Sequence, residues 1–411
     1  MNKAEEAFLT ILKDILHPTS ELSDLPSQDW ASVFDVSKKQ NLFPLLYDAA
    51  ENYPSFESFD SANPQYFSTA TASMTVQMKK TEKFIELYRA FLSAGLAPIV
   101  MKGIICRSLY GECADFRPSG DEDILIEKKD YEKAAEVLTS CGYRSNEQPD
   151  RALRVVQEVT FYSPNIDGAP ILTVELHLNL FGSGSTSKDK MNDRFRNVFQ
   201  NEETVVIQGV SIRTMTPTDH FLFLVLHAFK HFTGGGLGVR IMLDVLLFDE
   251  KYGDRIDWEY VDKALDELGA SGFLADLISI GNEYLGFKLA QKTEPVSPYE
   301  LLDDMFRAGT FGNTTATDCT AGRIVSDTIQ KDGRGKSRFT SYMRLLFPSW
   351  KAWISWKPYL SDKPWLLPAE WVKRMIRFLR GETSTSNLSE IDESYGKAVD
   401  RLALLKKYGI V

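Results

Sequence analysis

The sequence predicts an α+β fold, a small mixed sheet with flanking helices set between helical N- and C-terminal regions. Three observations carry that reading. Two short segments read as strands: 121–126, where a loop runs into an apolar stretch, and 171–178, which alternates faces with period two. Between them, Lys129 to Cys141 places Tyr131, Ala134, Ala135 and Leu138 at helical spacing and is closed by Gly142. The chain has 411 residues, 43% of them hydrophobic, which exceeds one ordinary domain and is ample for a sizeable core.

The elements follow in order. Residues 1–50 read as two or three helices, with Phe8, Ile11, Leu12 and Ile15 on one face. Residues 51–75 mix Ser, Pro and aromatics and read as loop, and 76–95 as a long helix. Ala97 to Met101 is an apolar strand ending in Lys102-Gly103, followed by a short helical stretch to Tyr110 and a loop over 111–120. Past the second acidic strand, 204–207 and 210–213 are β-branched runs flanking Gln208-Gly209, a hairpin signal. Thr216-Pro217-Thr218-Asp219 then offers an N-cap, a proline at the first helical position and an early acid, which starts a helix through Phe232. Gly234-Gly235-Gly236-Leu237-Gly238 follows a helix rather than a strand, so it is a joint before helix 239–249 and not a dinucleotide fingerprint. The composition shifts divide the chain into a helical N-terminal region (1–75), a core (76–215), a helical second lobe (216–300) and a Pro/Trp-rich C-terminal region (301–411).

The acidic residues carry the chemistry. On a strand Asp121 and Asp123 share one face and Glu122 points away, while Thr173, Glu175 and His177 share a face of the other strand. Carboxylates brought this close repel one another unless a divalent cation stands between them, and hard oxygen donors select Mg²⁺ or Mn²⁺. Metal-assisted phosphoryl or nucleotidyl transfer needs such a site. Most Asp-x-Asp pairs are solvated loop acids; the ordered setting of strands and helices separates this one from them.

Strand, Lys-Gly turn, helix, Asp-x-Asp strand, helix and a later strand bearing a lone acid resembles the DNA-polymerase-β-like nucleotidyltransferase superfamily. Within it, the chain is most similar to the bacterial group called uncharacterised nucleotidyltransferases. The matching pieces are Met101-Lys102-Gly103, Leu109-Tyr110-Gly111, Arg117, Asp121 to Ile126, Gly142-Tyr143 and Glu175-Leu176-His177. Asn41 to Tyr47, Leu226 to His231, and Arg240 with Asp244 extend the likeness over most of residues 30–270. The resemblance implies a polymerase-β-like core and a Mg²⁺-dependent enzyme moving a nucleoside monophosphate from a nucleoside triphosphate to a small-molecule or protein acceptor. Asp121, Asp123 and Glu175 would be its catalytic, metal-holding acids. Lys102, Gly103, Arg117, Ser119 and Gly120 would face the nucleotide. The wider superfamily carries Gly-Ser or Gly-Gly closer to the acids; here Lys102-Gly103 stands in that role, and a lysine supplies a point charge to a phosphate. The alternative is a non-catalytic nucleotide- or partner-binding module on the same fold, which has no need of the third acid. A histidine-based phosphohydrolase is disfavoured, because no His-Asp pair accompanies the helix.

That helix, Phe221 to Phe232, sets His220, His227 and His231 on one face beside Lys230, a chargeable stripe for the nucleotide. The competing reading makes these histidines satisfied core groups. Arg240 either pairs with Asp244 at i, i+4 or reaches a phosphate. Residues 307–340 read as a surface segment. Trp350, Trp353, Trp356, Trp365 and Trp371 lie among Lys and Arg further on. Pro348, Pro358, Pro364 and Pro368 break any continuous amphipathic helix there, which favours packing on the core over a membrane-surface role.

A net charge of −10 argues against a nucleic-acid partner, since phosphate-backbone binding needs a basic face. Cys106, Cys113, Cys141 and Cys319 show neither metal-ligand spacing nor a disulfide framework and read as reduced thiols of a cytoplasmic protein. The N-terminus lacks a signal-peptide pattern, and no apolar run is long enough for a transmembrane segment.

Overall fold

The computed structural model describes residues 1–18, 29–146, 158–166, 169–182 and 186–310, positions scattered between 321 and 362, and residues 363–380 and 388–410. The chain forms two compact units, one of residues 1–228 and 239–306, the other of residues 229–238 and 307–411.

In the first unit, α1 (Lys3–Leu16) opens on a capping box: Asn2 accepts from the amides of Ala4 and Glu5, and Glu5 accepts from the Asn2 amide. Phe8, Ile11 and Leu12 of the expected face are buried, and with α2 (Trp30–Lys39) and α3 (Phe43–Ala50) the two or three helices expected over 1–50 are three. Residues 51–75 differ from the loop expected there. They form α4 (Phe56–Ala62) and the start of α5 (Gln65–Ser93). Their aromatic residues pack round Phe34, with Phe56 at 5.8 Å and Tyr66 at 5.3 Å between ring centroids. That burial outweighs the Ser/Pro-rich composition, a tertiary effect invisible to local pattern.

The main sheet is mixed and four-stranded. Strand β1 (Ile99–Val100) leads through the one-turn α6 (Ile104–Arg107) to β2 (Asp121–Leu125). Helical turns continue from Ser108 to Phe116, broken at Gly111; those to Tyr110 were expected, while those over 112–116 replace part of the loop expected over 111–120. After α7 (Tyr131–Ser140) come β3 (Glu158–Tyr162), the short pair β4 (Asn165–Ile166) and β5 (Ala169–Pro170), and β6 (Thr173–His177). The spatial order is β1-β2-β6-β3, with β2 and β6 parallel and both outer pairings antiparallel. Ile124, Val159, Phe161, Val174 and Leu176 bury one sheet face under Phe84, Tyr88 and Phe91 of α5 and Ala134 and Leu138 of α7. The opposite face carries the acids.

Beyond α8 (Thr186–Arg194) the hairpin expected from sequence is present as β7 (Glu202–Ile207) and β8 (Val210–Met215). Gln208 and Gly209 both take positive φ, 48° and 74°, which is what a tight two-residue hairpin turn requires. Helix α9 (Pro217–Gly234) starts where predicted, the Asp219 amide donating to Thr216 Oγ1 at 3.2 Å. α10 (Val239–Tyr252), α11 (Trp258–Leu268), α12 (Ser271–Tyr284) and α13 (Pro298–Ala308) follow.

The second unit contains α14 (Leu367–Leu379) and α15 (Leu388–Lys407). Within it Phe232 packs edge-on against Tyr408 at 5.0 Å. Gly236 adopts φ 102° where a Cβ would stand 2.5 Å from that of Ala308, so the joint residue is glycine for lack of space as well as for conformation. Most of 307–340, Cys319 and Trp356 lie outside the described residues. Trp353 is buried, whereas Trp350 and Trp365 are exposed. Among the described residues no helix is long and apolar enough to cross a membrane.

Candidate active site

Parallel pairing of β2 with β6 sets Asp121 beside Thr173, Asp123 beside Glu175 and Leu125 beside His177. Adjacent residues in register share a face, so the carboxylates of Asp121, Asp123 and Glu175 gather on the side away from α5 and α7. The apolar residues of the same strands anchor the sheet from behind. That division of faces is why two short strands can carry so much charge.

Asp123 is the centre of the group and is 1% exposed. Its Oδ1 lies 2.9 Å from Lys102 Nζ and 3.1 Å from His177 Nε2. Its Oδ2 is buried with no hydrogen-bond partner. Burial alone would raise the Asp123 pKa, but Lys102 and His177 outweigh it and hold the carboxyl well below its usual range. Asp121 is pushed the other way, to about 6, by burial and by the charge of Asp123. Lys102 is opposed by burial yet kept protonated by Asp123 and Asp121. His177 Nε2 also lies 3.5 Å from Glu175 Oε2. Burial works against its charged form, but the hydrogen bonds to Asp123 and Glu175 lift it to about 9. Donor atoms of Asp123, Glu175 and His177 all fall within 4.8 Å of one another, and the Asp123 carboxylate also carries a buried oxygen with no hydrogen-bond partner. This set fits a divalent cation.

Glu122 points away, as its place in the strand requires, and is fully buried. It accepts from the Ile104 amide at 2.8 Å and forms an ion pair with Arg107 at 2.6 Å. Gly103 takes φ 53° directly over that carboxylate, and a Cβ would come 1.9 Å from Glu122 Oε2. The Lys-Gly turn is thus fixed by its fit to Glu122, and it delivers Lys102 to the acidic face. His220 steadies the same turn from α9: its Nε2 is 2.5 Å from the Met101 carbonyl. Being buried, it is pushed down to about 4 and is neutral.

The structure sorts the other predicted residues. His227 Nε2 lies 3.5 Å from Lys102 Nζ, beside the acids. Lys230 and His231 belong to the second unit, so the expected histidine stripe divides into a core group, a site neighbour and a residue of another unit. Arg117 is buried and donates to both oxygens of Asp244, through Nε at 2.8 Å and through Nη2. Arg240 donates to the Pro118 carbonyl rather than pairing with Asp244. Ser119 is buried, its hydroxyl accepting from Arg107 at 2.6 Å and its amide donating to Gln77 at 2.8 Å. Gly120 is exposed immediately before Asp121. Sequence reasoning put His177 on the right face without naming it a site residue; its period-two spacing from Glu175 was the available signal. Glu158, 3.5 Å from His177 Nδ1, comes from β3 and left no local signal.

No curated protein and no solved structure matches the chain. A family model described as an uncharacterised nucleotidyltransferase matches residues 26–286, more than half of the 411 residues and every strand of the main sheet. The chain belongs to this family of uncharacterised nucleotidyltransferases.

Proposed function

We propose that the chain moves a nucleoside monophosphate from a nucleoside triphosphate to a small-molecule or protein acceptor, using Mg²⁺ or Mn²⁺ on a polymerase-β-like core of residues 76–215. One observation carries the reading: Asp123 and Glu175 stand side by side across a parallel strand pair, with Lys102 on Asp123 Oδ1 while Asp123 Oδ2 is buried and partnerless. A buried acceptor without a donor is costly, and a bound cation would remove that cost.

Asp121, Asp123 and Glu175 would hold the metal, which supplies positive charge to the triphosphate and to the attacking oxygen. Glu175 is the more exposed of the central acids, its side chain 25% accessible, and is the group placed to take the acceptor proton. The acceptor oxygen bonds to the α-phosphorus and pyrophosphate leaves. Lys102, with His227 beside it, neutralises phosphate charge, and the exposed Gly120 offers an amide next to the acids. Arg117, Ser119 and Arg240 act by positioning: their buried contacts shape the 117–120 loop.

Incubation of the protein with triphosphates labelled at the α- or the γ-phosphate, divalent metal and a cell extract tests this. The α-label is expected to become attached to an acceptor while the γ-label leaves in pyrophosphate. Attachment of the γ-label would make the protein a phosphotransferase and overturn the proposal.

A further inference from the structure

We infer that His177 is a direct metal ligand through Nε2, making the site a mixed nitrogen–oxygen centre that favours a first-row transition dication such as Mn²⁺ over Mg²⁺. The inference rests on the metal-dependent reading above and narrows it. Two donors on one ion at about 2.1 Å are about 3.0 Å apart at right angles and about 3.4 Å apart in a tetrahedron. His177 Nε2 stands 3.1 Å from Asp123 Oδ1 and 3.5 Å from Glu175 Oε2, the spacing of neighbouring donors on a common ion.

The other ring nitrogen supplies an independent observation. His177 Nδ1 lies 3.4 Å from the Asn179 carbonyl and 3.5 Å from Glu158 Oε2. Both are acceptors, so Nδ1 keeps its proton there and Nε2, which faces the acids, is the nitrogen free to exchange its proton for an ion. Metal-binding histidines are held in this way by a carbonyl or carboxylate behind the ring. The ring is 4% exposed, so water does not compete for that arrangement.

The donor set decides the ion. Mg²⁺ prefers an all-oxygen octahedron and gives up water reluctantly, whereas imidazole nitrogen strengthens binding of transition dications. Binding exchanges the proton on Nε2 for the ion and releases it to solvent; no electrons move.

The test uses the metal-free 411-residue chain with Mn²⁺ or Mg²⁺ alone, read by calorimetry and by pulsed electron paramagnetic resonance of bound Mn²⁺. Mn²⁺ is expected to bind at least tenfold more tightly than Mg²⁺ and to show coupling to a directly bonded nitrogen. His177→Gln should abolish the coupling and the preference, while Glu158→Gln should weaken Mn²⁺ binding about tenfold. Nitrogen-15 labelling of histidine in the wild type reads the same bond if His177→Gln does not fold. Bound Mn²⁺ without nitrogen coupling, or equal affinity for both ions, would overturn the inference and leave the metal-dependent reading standing. Binding of neither ion would overturn both.

Discussion

Lys102 Nζ stands 2.9 Å from Asp123 Oδ1, so the most deeply buried acid of the site already holds a cation supplied by the chain. The lysine offsets carboxylate repulsion in the metal-free protein and competes with any ion for the same carboxylate. Lys102→Met should therefore tighten Mn²⁺ or Mg²⁺ binding while weakening triphosphate binding, each by roughly tenfold, or about 1.4 kcal/mol. Calorimetric titration of each ligand separately checks it. Weaker metal binding in the variant would mean that Lys102 orients Asp123 rather than competing for it.

Gly103 is predicted to tolerate no side chain. Its φ of 53° and the Glu122 carboxylate 1.9 Å from a built Cβ add strain to a clash with a buried ion pair. Gly103→Ala should cost roughly 3 kcal/mol or more of stability, measured by denaturant unfolding. Wild-type stability in the variant would show that the turn is not held by Glu122.

The Arg117–Asp244 pair separates a positioning role from a phosphate-binding one. Asp244→Asn leaves a buried guanidinium without its partner, and loss of roughly 3–5 kcal/mol is expected. Triphosphate affinity per folded molecule should stay unchanged. A large affinity loss in a stable variant would return Arg117 to the phosphate.

His220 gives a pH dependence with a definite sign. Its folded pKa, lowered to about 4 from 6.5, means that the unfolded chain binds the proton first as pH falls. Its contribution is complete above about pH 6.5 and is lost toward pH 4, amounting to about 2 kcal/mol by pH 5. Asp249, lifted to about 6 by burial, pulls stability the opposite way over the same interval. Comparison with His220→Gln isolates the histidine: the wild type's advantage should shrink between pH 7.5 and 5. A pH-independent difference would mean that His220 is not neutral in the fold.

The parts legible in the sequence are those that local period and cap chemistry determine. Alternation on 171–178 placed Glu175, and Thr216-Pro217 placed the start of α9, because each signal is complete within a few residues. The Gln208-Gly209 turn was legible for the same reason. What stayed hidden depends on residues far apart in the chain. The helices over 56–75 form against Phe34. Arg117 and Ser119 looked free to meet a phosphate until Asp244, Arg107 and Gln77 were brought to them. Glu158 reaches His177 only because β3 pairs with β6.

Asp123 and Glu175 are proposed as the metal-holding heart of a nucleotidyl-transfer site. The most direct test measures transfer of α-labelled nucleotide by the wild type and by Asp123→Asn, with melting temperature and circular dichroism recorded on both. A folded variant is expected, with transfer reduced by roughly a hundredfold or more, since one charge at the metal is gone while the shape is kept. Wild-type turnover in a folded Asp123→Asn protein would contradict it.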